Sequence, residues 1–202
     1  MRVEDRLREL RSFPEELGID VRTPEGRFKW FLASLLFAKR ISAEIAKRTY
    51  LRFEEEGLTT PERILEAGWD RLVEVLDSGG YVRYDFSTAS RLLENMEKLL
   101  KVYGDLEELH RRSRDPRDLE RRLREFKGLG PVGVNIFLRE LRGIWPKARP
   151  EPSKIAVDMG ERLGLEDPVP YESALVRVRL EYCKRRRCGE CPVRDYCREP
   201  LA

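Results

Sequence analysis

The chain has 202 residues, 41% of them hydrophobic, and no run approaches the roughly 18 apolar residues of a membrane helix, which argues against a transmembrane protein. Forty basic against 37 acidic residues leave a net charge of only +3, so any affinity for a polyanion has to come from local clusters rather than from the whole molecule. A single histidine, His110, excludes a multi-histidine site; amid Arg111, Arg112 and Arg114 it is expected at the surface.

The first residues, Met1-Arg2-Val3-Glu4-Asp5, carry mixed charge and no apolar core, so no secretory signal is expected and a reducing interior is the anticipated home. Thr23-Pro24-Glu25 predicts a helix start, a capping threonine followed by proline at the first helical position, and Phe28, Phe31, Leu32, Leu35 and Leu36 make its stripe apolar enough for a central place. Lys39 and Arg40 follow this helix, as cations for DNA or as ordinary charges at a helix end. Helical patterns continue over about 41–56, 61–67 and 69–77, and Gly79-Gly80 breaks them. After that break, Tyr81, Arg83, Tyr84 and Asp85 are read either as the lining of a base pocket or as the roof of a core. Ser87 is the expected N-cap of a helix whose stripe runs Ala89, Leu92, Leu93, Met96, Leu99, Leu100, Tyr103 and ends at Gly104. Trp30, Trp69 and Trp145 are expected inside.

The next pair of helices, about 116–126 and 131–141, is joined by Gly128-Leu129-Gly130-Pro131. Two glycines before a proline-led helix read as an αα-turn. They also read as a hairpin whose exposed N–H groups admit a phosphate, which would bind backbone and ignore base sequence. Three prolines break the chain between Gly143 and Pro152. Helices are predicted again over about 153–163 and 171–182, and no stretch alternates convincingly as a strand. The tail holds all four cysteines as Cys183-x4-Cys188-x2-Cys191-x5-Cys197, with Lys184, Arg185, Arg186 and Arg187 filling the first gap. Thiolates at such spacing suit one soft cation or an iron–sulfur cluster, and the basic tip suits a polyanion. The expected fold is all-α, one unit of roughly ten short helices in two lobes with a groove between them, about 23–142 with the hairpin at 119–141, and about 1–22 with 143–202 carrying the loop 183–197.

Phe126-Lys127-Gly128-Leu129-Gly130-Pro131, a helix, and then a cysteine loop ending Cys-x2-Cys-x5-Cys resemble the helix-hairpin-helix DNA glycosylase superfamily, in its endonuclease III-like branch. The resemblance runs from about Phe28 to Cys197. It takes in the segment 31–38, Gly79-Gly80-Tyr81 and Arg162-Leu163-Gly164-Leu165, in the order that family has them. It implies a two-lobed helical fold and a [4Fe–4S] cluster on Cys183, Cys188, Cys191 and Cys197, with zinc as the alternative. It further implies contacts to duplex DNA, damaged or mismatched, through Lys127, Gly128, Gly130, Val132 and Gly133 and the cationic loop, in a cytoplasmic, nucleoid-associated setting. The family's strand-nicking lysine corresponds to Val132 and its aspartate to Ser153, so lyase chemistry is not expected and Glu151 or Asp158 would have to supply an excision carboxylate. Three readings follow: a monofunctional or altered glycosylase, a non-catalytic binder of damaged or distorted DNA, and a zinc-stapled helical module for RNA or a protein partner.

Overall fold

Apolar residues on nearly every face of one helix, together with capping residues at the starts of its neighbours, produce the arrangement of the larger part of the chain. The computed structural model describes residues 2–199, which contain helices and turns and no strand. The chain divides into two compact units, Ile19–Pro150 and Met1–Gly18 with Glu151–Ala202. The divisions therefore fall at 18/19 and 150/151 rather than at 22/23 and 142/143. Among the described residues no helix is long and apolar enough to cross a membrane.

In the first unit, α3 (Pro24–Phe37) starts where Thr23 Oγ1 accepts the Gly26 N–H at 3.0 Å, satisfying one of the donors a helix start leaves open. Trp30, Phe31, Leu32 and Leu36 on it are wholly buried. The Phe31 ring meets Phe126 and Phe137 edge-on at 5.3 and 5.5 Å, so α3 joins the helices either side of the Gly128 turn to one core. Around it lie α4 (Ala43–Glu55), capped by Ser42, α5 (Pro61–Gly79), capped by Thr60, and α6 (Asp85–Lys98). Gly68, at φ +72°, kinks α5 between the two segments expected there. At Gly79 a Cβ would stand 2.3 Å from Thr49 Oγ1; only glycine lets α4 and α5 approach so closely. The structure corrects the start of α6. It begins two residues before Ser87, whose hydroxyl donates to the Tyr84 carbonyl at 3.1 Å from inside the helix. A wide π-turn, Leu99–Tyr103, closes α6, followed by α7 (Leu106–Arg112), α8 (Pro116–Arg124) and α9 (Pro131–Arg139).

Two side-chain expectations are also corrected. Trp69 is 38% exposed; it follows the Gly68 kink, donates Nε1–H to Ser90 Oγ at 3.0 Å, and lays its ring 5.2 Å from the exposed Phe86. His110 is half-buried and not a free surface residue. Its ring stacks on Trp145 at 4.5 Å and 4°, and its buried Nε2 makes no hydrogen bond. The stack belongs to a polar knot. Arg27 Nε donates to Glu107 Oε1 at 2.6 Å, Trp145 Nε1 donates to Glu107 Oε2 at 3.3 Å, and Lys147 Nζ donates to the His110 carbonyl at 2.6 Å.

The second unit gathers α1 (Val3–Arg8), α2 (Phe13–Glu16), α10 (Lys154–Leu163) and α11 (Glu172–Val178), which runs into a π-turn, Arg179–Cys183. Val3, Leu7, Met159, Leu163, Leu175 and Val178 form its core, and Cys183 and Val193 join them. The cysteine tail is thus part of this small core.

Burial first, then the nearby Lys147 and Arg27 charges, holds the His110 imidazole below its ordinary value of 6.5, with Glu107 opposing them. A base whose folded value is depressed binds protons better in the unfolded chain, so stability is present above the unfolded value and falls as the pH drops below it. The thermal midpoint of the wild type should fall more between about pH 8 and about pH 5 than that of His110→Phe, as measured by circular dichroism melts. Parallel curves would show that the ring does not titrate on unfolding.

Candidate nucleic-acid interface and metal centre

Leu119 and Leu123 on α8 and Phe126 beyond it are buried, and this anchoring lifts the turn that follows to the surface. Gly128 has φ +87°, a conformation that side chains disfavour. Leu129 turns back into the core at 1% exposure, and Gly130, with open space where a Cβ would be, becomes the N-cap of α9. No side chain caps α9, and Val132 at its start is 70% exposed. Pro131 carries no N–H, and the other first-turn donors of α9 have no capping side chain. Gly133 also has a packing task. A Cβ there would lie 2.8 Å from Leu129 Cδ1 and 3.0 Å from Ala38 Cβ, so its smallness serves the packing of α9 on α3.

Asn95, 2% exposed on α6, holds this turn in place. Its Oδ1 accepts the Lys127 N–H at 2.8 Å and its Nδ2 donates to the Lys127 carbonyl at 2.9 Å. The Lys127 ammonium is ion-paired with Glu94. Lys39 Nζ and Arg91 Cδ stand 3.4 and 3.6 Å from the position a Gly128 Cβ would take, while Arg40 is exposed. Burial, and then the Arg91 charge, push the Lys39 ammonium below its ordinary value. Tyr81 is 1% exposed and donates its hydroxyl to the Leu36 carbonyl at 2.8 Å, so it roofs the core and is unavailable to stack on a base. Tyr84 is half-buried 6.3 Å from the Tyr81 ring, under the Arg83 guanidinium at 5.5 Å. Asp85 accepts the Phe86 N–H at 2.7 Å, and Asp77 is held above the usual carboxylate range by burial and by Asp85.

In the second unit, Ser153 caps α10, its hydroxyl accepting the Ala156 N–H at 3.3 Å. Its own N–H donates to Glu172 Oε1 at 2.8 Å, and Glu172 is 1% exposed. The two acids expected to compensate for Ser153 lie in solvent. Glu151 is exposed, and Asp158 is exposed with Lys154 Nζ at 3.3 Å. Sequence reasoning passed over Glu172, although it falls with Leu175 and Val176 on the buried side of α11.

All four cysteines are free thiols and line one cavity, closed by Met159, Leu163, Val178 and Val193. Short backbone bonds shape the loop: Arg187 N–H to the Tyr182 carbonyl at 2.8 Å, Cys191 N–H to the Cys188 carbonyl at 3.1 Å and Cys197 N–H to the Arg194 carbonyl at 3.0 Å. Burial pushes the Cys191 thiol up, a bond from the Val193 N–H opposes this, and the charges of Cys183, Cys188 and Cys197 raise it further. Four thiolates in mutual reach call for a cationic group to offset them. Among the described residues no three His, Cys, Asp or Glu side chains come together tightly enough to hold a single metal ion. Lys184 to Arg187 are exposed at the loop's tip, where Arg187 pairs with Glu190 and Arg186 has φ +55°.

No family model matches the chain, and no curated protein is significantly similar to it in sequence.

Replacing Asn95 by leucine removes both partners of the Lys127 peptide at a part-buried position, so Asn95→Leu should lose about 1–3 kcal/mol of stability to chemical denaturation. A loss below about 0.5 kcal/mol would show that the turn holds its shape without the clamp.

Proposed function

We propose that the protein binds duplex DNA, with a preference for damaged or distorted sites, as an endonuclease III-like protein of base excision repair. The observation that carries this is the glycine turn, where an uncapped and exposed helix start offers backbone donors that phosphate takes readily. The exposed cations at the tip of the cysteine loop support it as a second basic surface. The four thiols around one cavity, at the spacing Cys183-x4-Cys188-x2-Cys191-x5-Cys197, support a [4Fe–4S] cluster held by those four residues, as in the family the sequence resembles. When bound, the cluster ties the C-terminal loop to α10 and α11, with no part in bond breaking required of it.

The chemistry of the site favours binding without strand cleavage. Val132 offers no amine for a covalent intermediate, and Glu151 and Asp158 are solvated. A second reading, monofunctional base excision, is favoured by one observation: the Glu172 carboxylate lies against the Ser153 amide, next to the position where the resembling family keeps its aspartate. Excess protein incubated with duplexes carrying uracil, oxidised, alkylated or mismatched bases, then treated with alkali, separates the two. Alkali-dependent breaks that vanish in Glu172→Gln, with binding retained, would establish excision by Glu172. Measurable binding with no product at any lesion would establish the binder. Absence of binding to every duplex at low salt would refute both.

Protein purified without oxygen should be brown and contain about four iron and four sulfide per chain, measured by elemental and sulfide assay. Cys191→Ala should lose the colour and most of the iron. Colourless protein with one zinc would overturn the cluster.

A further inference from the structure

Most cations in this chain have carboxylates against them. On the faces around the Gly128 turn, Lys98 lies 3.1 Å from Glu125, and Glu94 is taken by Lys127. Lys39 and Arg91 differ. They come from just beyond α3 and the middle of α6, they meet at the Gly128 turn, and neither side chain has a hydrogen bond or ion pair with any described residue. The other titratable groups nearby leave them uncompensated. The Tyr81 hydroxyl is spent on the Leu36 carbonyl, and Asp85 is turned to Asp77. Two like charges partly withdrawn from water and set side by side cost stability unless an anion joins them. Gly128 leaves the space between and above them open, since no side chain projects there.

We propose that Lys39 and Arg91 together form a seat for one phosphate of the DNA backbone, so that the hairpin grips its strand through this pair of side chains as well as through its amides. The proposal rests on the DNA-binding reading and adds Arg91, and the sharing of one phosphate by two cations, to it. A phosphodiester presents two non-bridging oxygens, one for the ammonium and one for the guanidinium. The seat reads no base, and it positions the turn on the backbone.

Each phosphate neutralised contributes about 0.9 to the slope of log affinity against log salt on duplex DNA. Fluorescence anisotropy with one labelled duplex over a range of potassium chloride concentrations should therefore show that Lys39→Gln with Arg91→Gln loses about 0.9 of slope, not twice that, while each single change loses less because the other cation keeps its oxygen. Removing a repulsion should leave the thermal midpoint equal or higher, and Lys39→Met with Arg91→Met should repeat the result if the apolar stems matter to packing. A double variant with unchanged slope, beside a wild type that binds, would overturn the seat and leave the DNA reading standing. A loss of about 1.8 would assign the cations to separate phosphates and overturn the sharing. A clearly lowered midpoint in both double variants would make the pair structural. Failure of the wild type to bind duplex at any salt would remove the DNA reading itself.

Discussion

The side-chain amide of Asn95 meets both polar groups of the Lys127 peptide, as a partner strand would in a sheet. A buried residue that satisfies donor and acceptor at once fixes the turn's height and angle against α6, because any displacement breaks both bonds together. Everything that makes the turn useful follows from that constraint. Gly128 lands between Lys39 and Arg91, and Gly130 is left in open space at the head of α9. Leu129 anchors the turn in the core while Val132 projects from it. Gly133 then brings α9 down on Ala38 and completes the contact with α3.

With 77 charged residues and a net charge of +3, the chain cannot attract a polyanion through its overall field. Where its charges remain unmatched matters instead. Arg27 is matched by Glu107 inside the larger unit, and Arg177 by Glu16 and Glu181 inside the smaller one. Such pairs hold segments together and present little net potential. Lys39 and Arg91 lack this compensation, and they occur beside exposed backbone donors rather than on an arbitrary face. Leaving them so costs stability, which is why unmatched, half-buried cations are informative where a long exposed run such as Lys184 to Arg187 is less so.

Helix content and most boundaries were legible because they are local. Thr23-Pro24, Ser42 and Thr60 each act within three residues, and the structure has each at a helix start. The start of α6 was not, because Tyr84 begins that helix without a side-chain cap and Ser87 offered a false one. The residues that organise the sites were illegible for a different reason. Asn95 and its partner Lys127 are 32 positions apart, and Glu172 and Ser153 are 19 apart. Each is a polar residue on an apolar stripe, a visible anomaly whose partner only tertiary packing identifies. Tyr81 was left open in the sequence: an aromatic next to a glycine turn reads as base pocket or as core roof, and the Leu36 carbonyl that claims its hydroxyl, and decides for the roof, lies on another helix. The cysteines were legible as a group, since four thiols within fifteen positions have few arrangements available.

Ser153 shows what a hydroxyl can do at a helix start and what it leaves to its surroundings. An aspartate at a helix start would both cap the helix and place negative charge near the surface; a serine retains only the first task, through its bond to the Ala156 N–H. A carboxyl group is present nearby, but it belongs to Glu172 and is drawn inward against the Ser153 N–H at 1% exposure, shielded from solvent. To act on a nucleotide it would have to be uncovered, and uncovering it would release the Ser153 amide at the start of α10. The bond to the Ser153 amide and any other task for that Glu172 oxygen are therefore alternatives, so in the arrangement seen here the residue stabilises the start of α10.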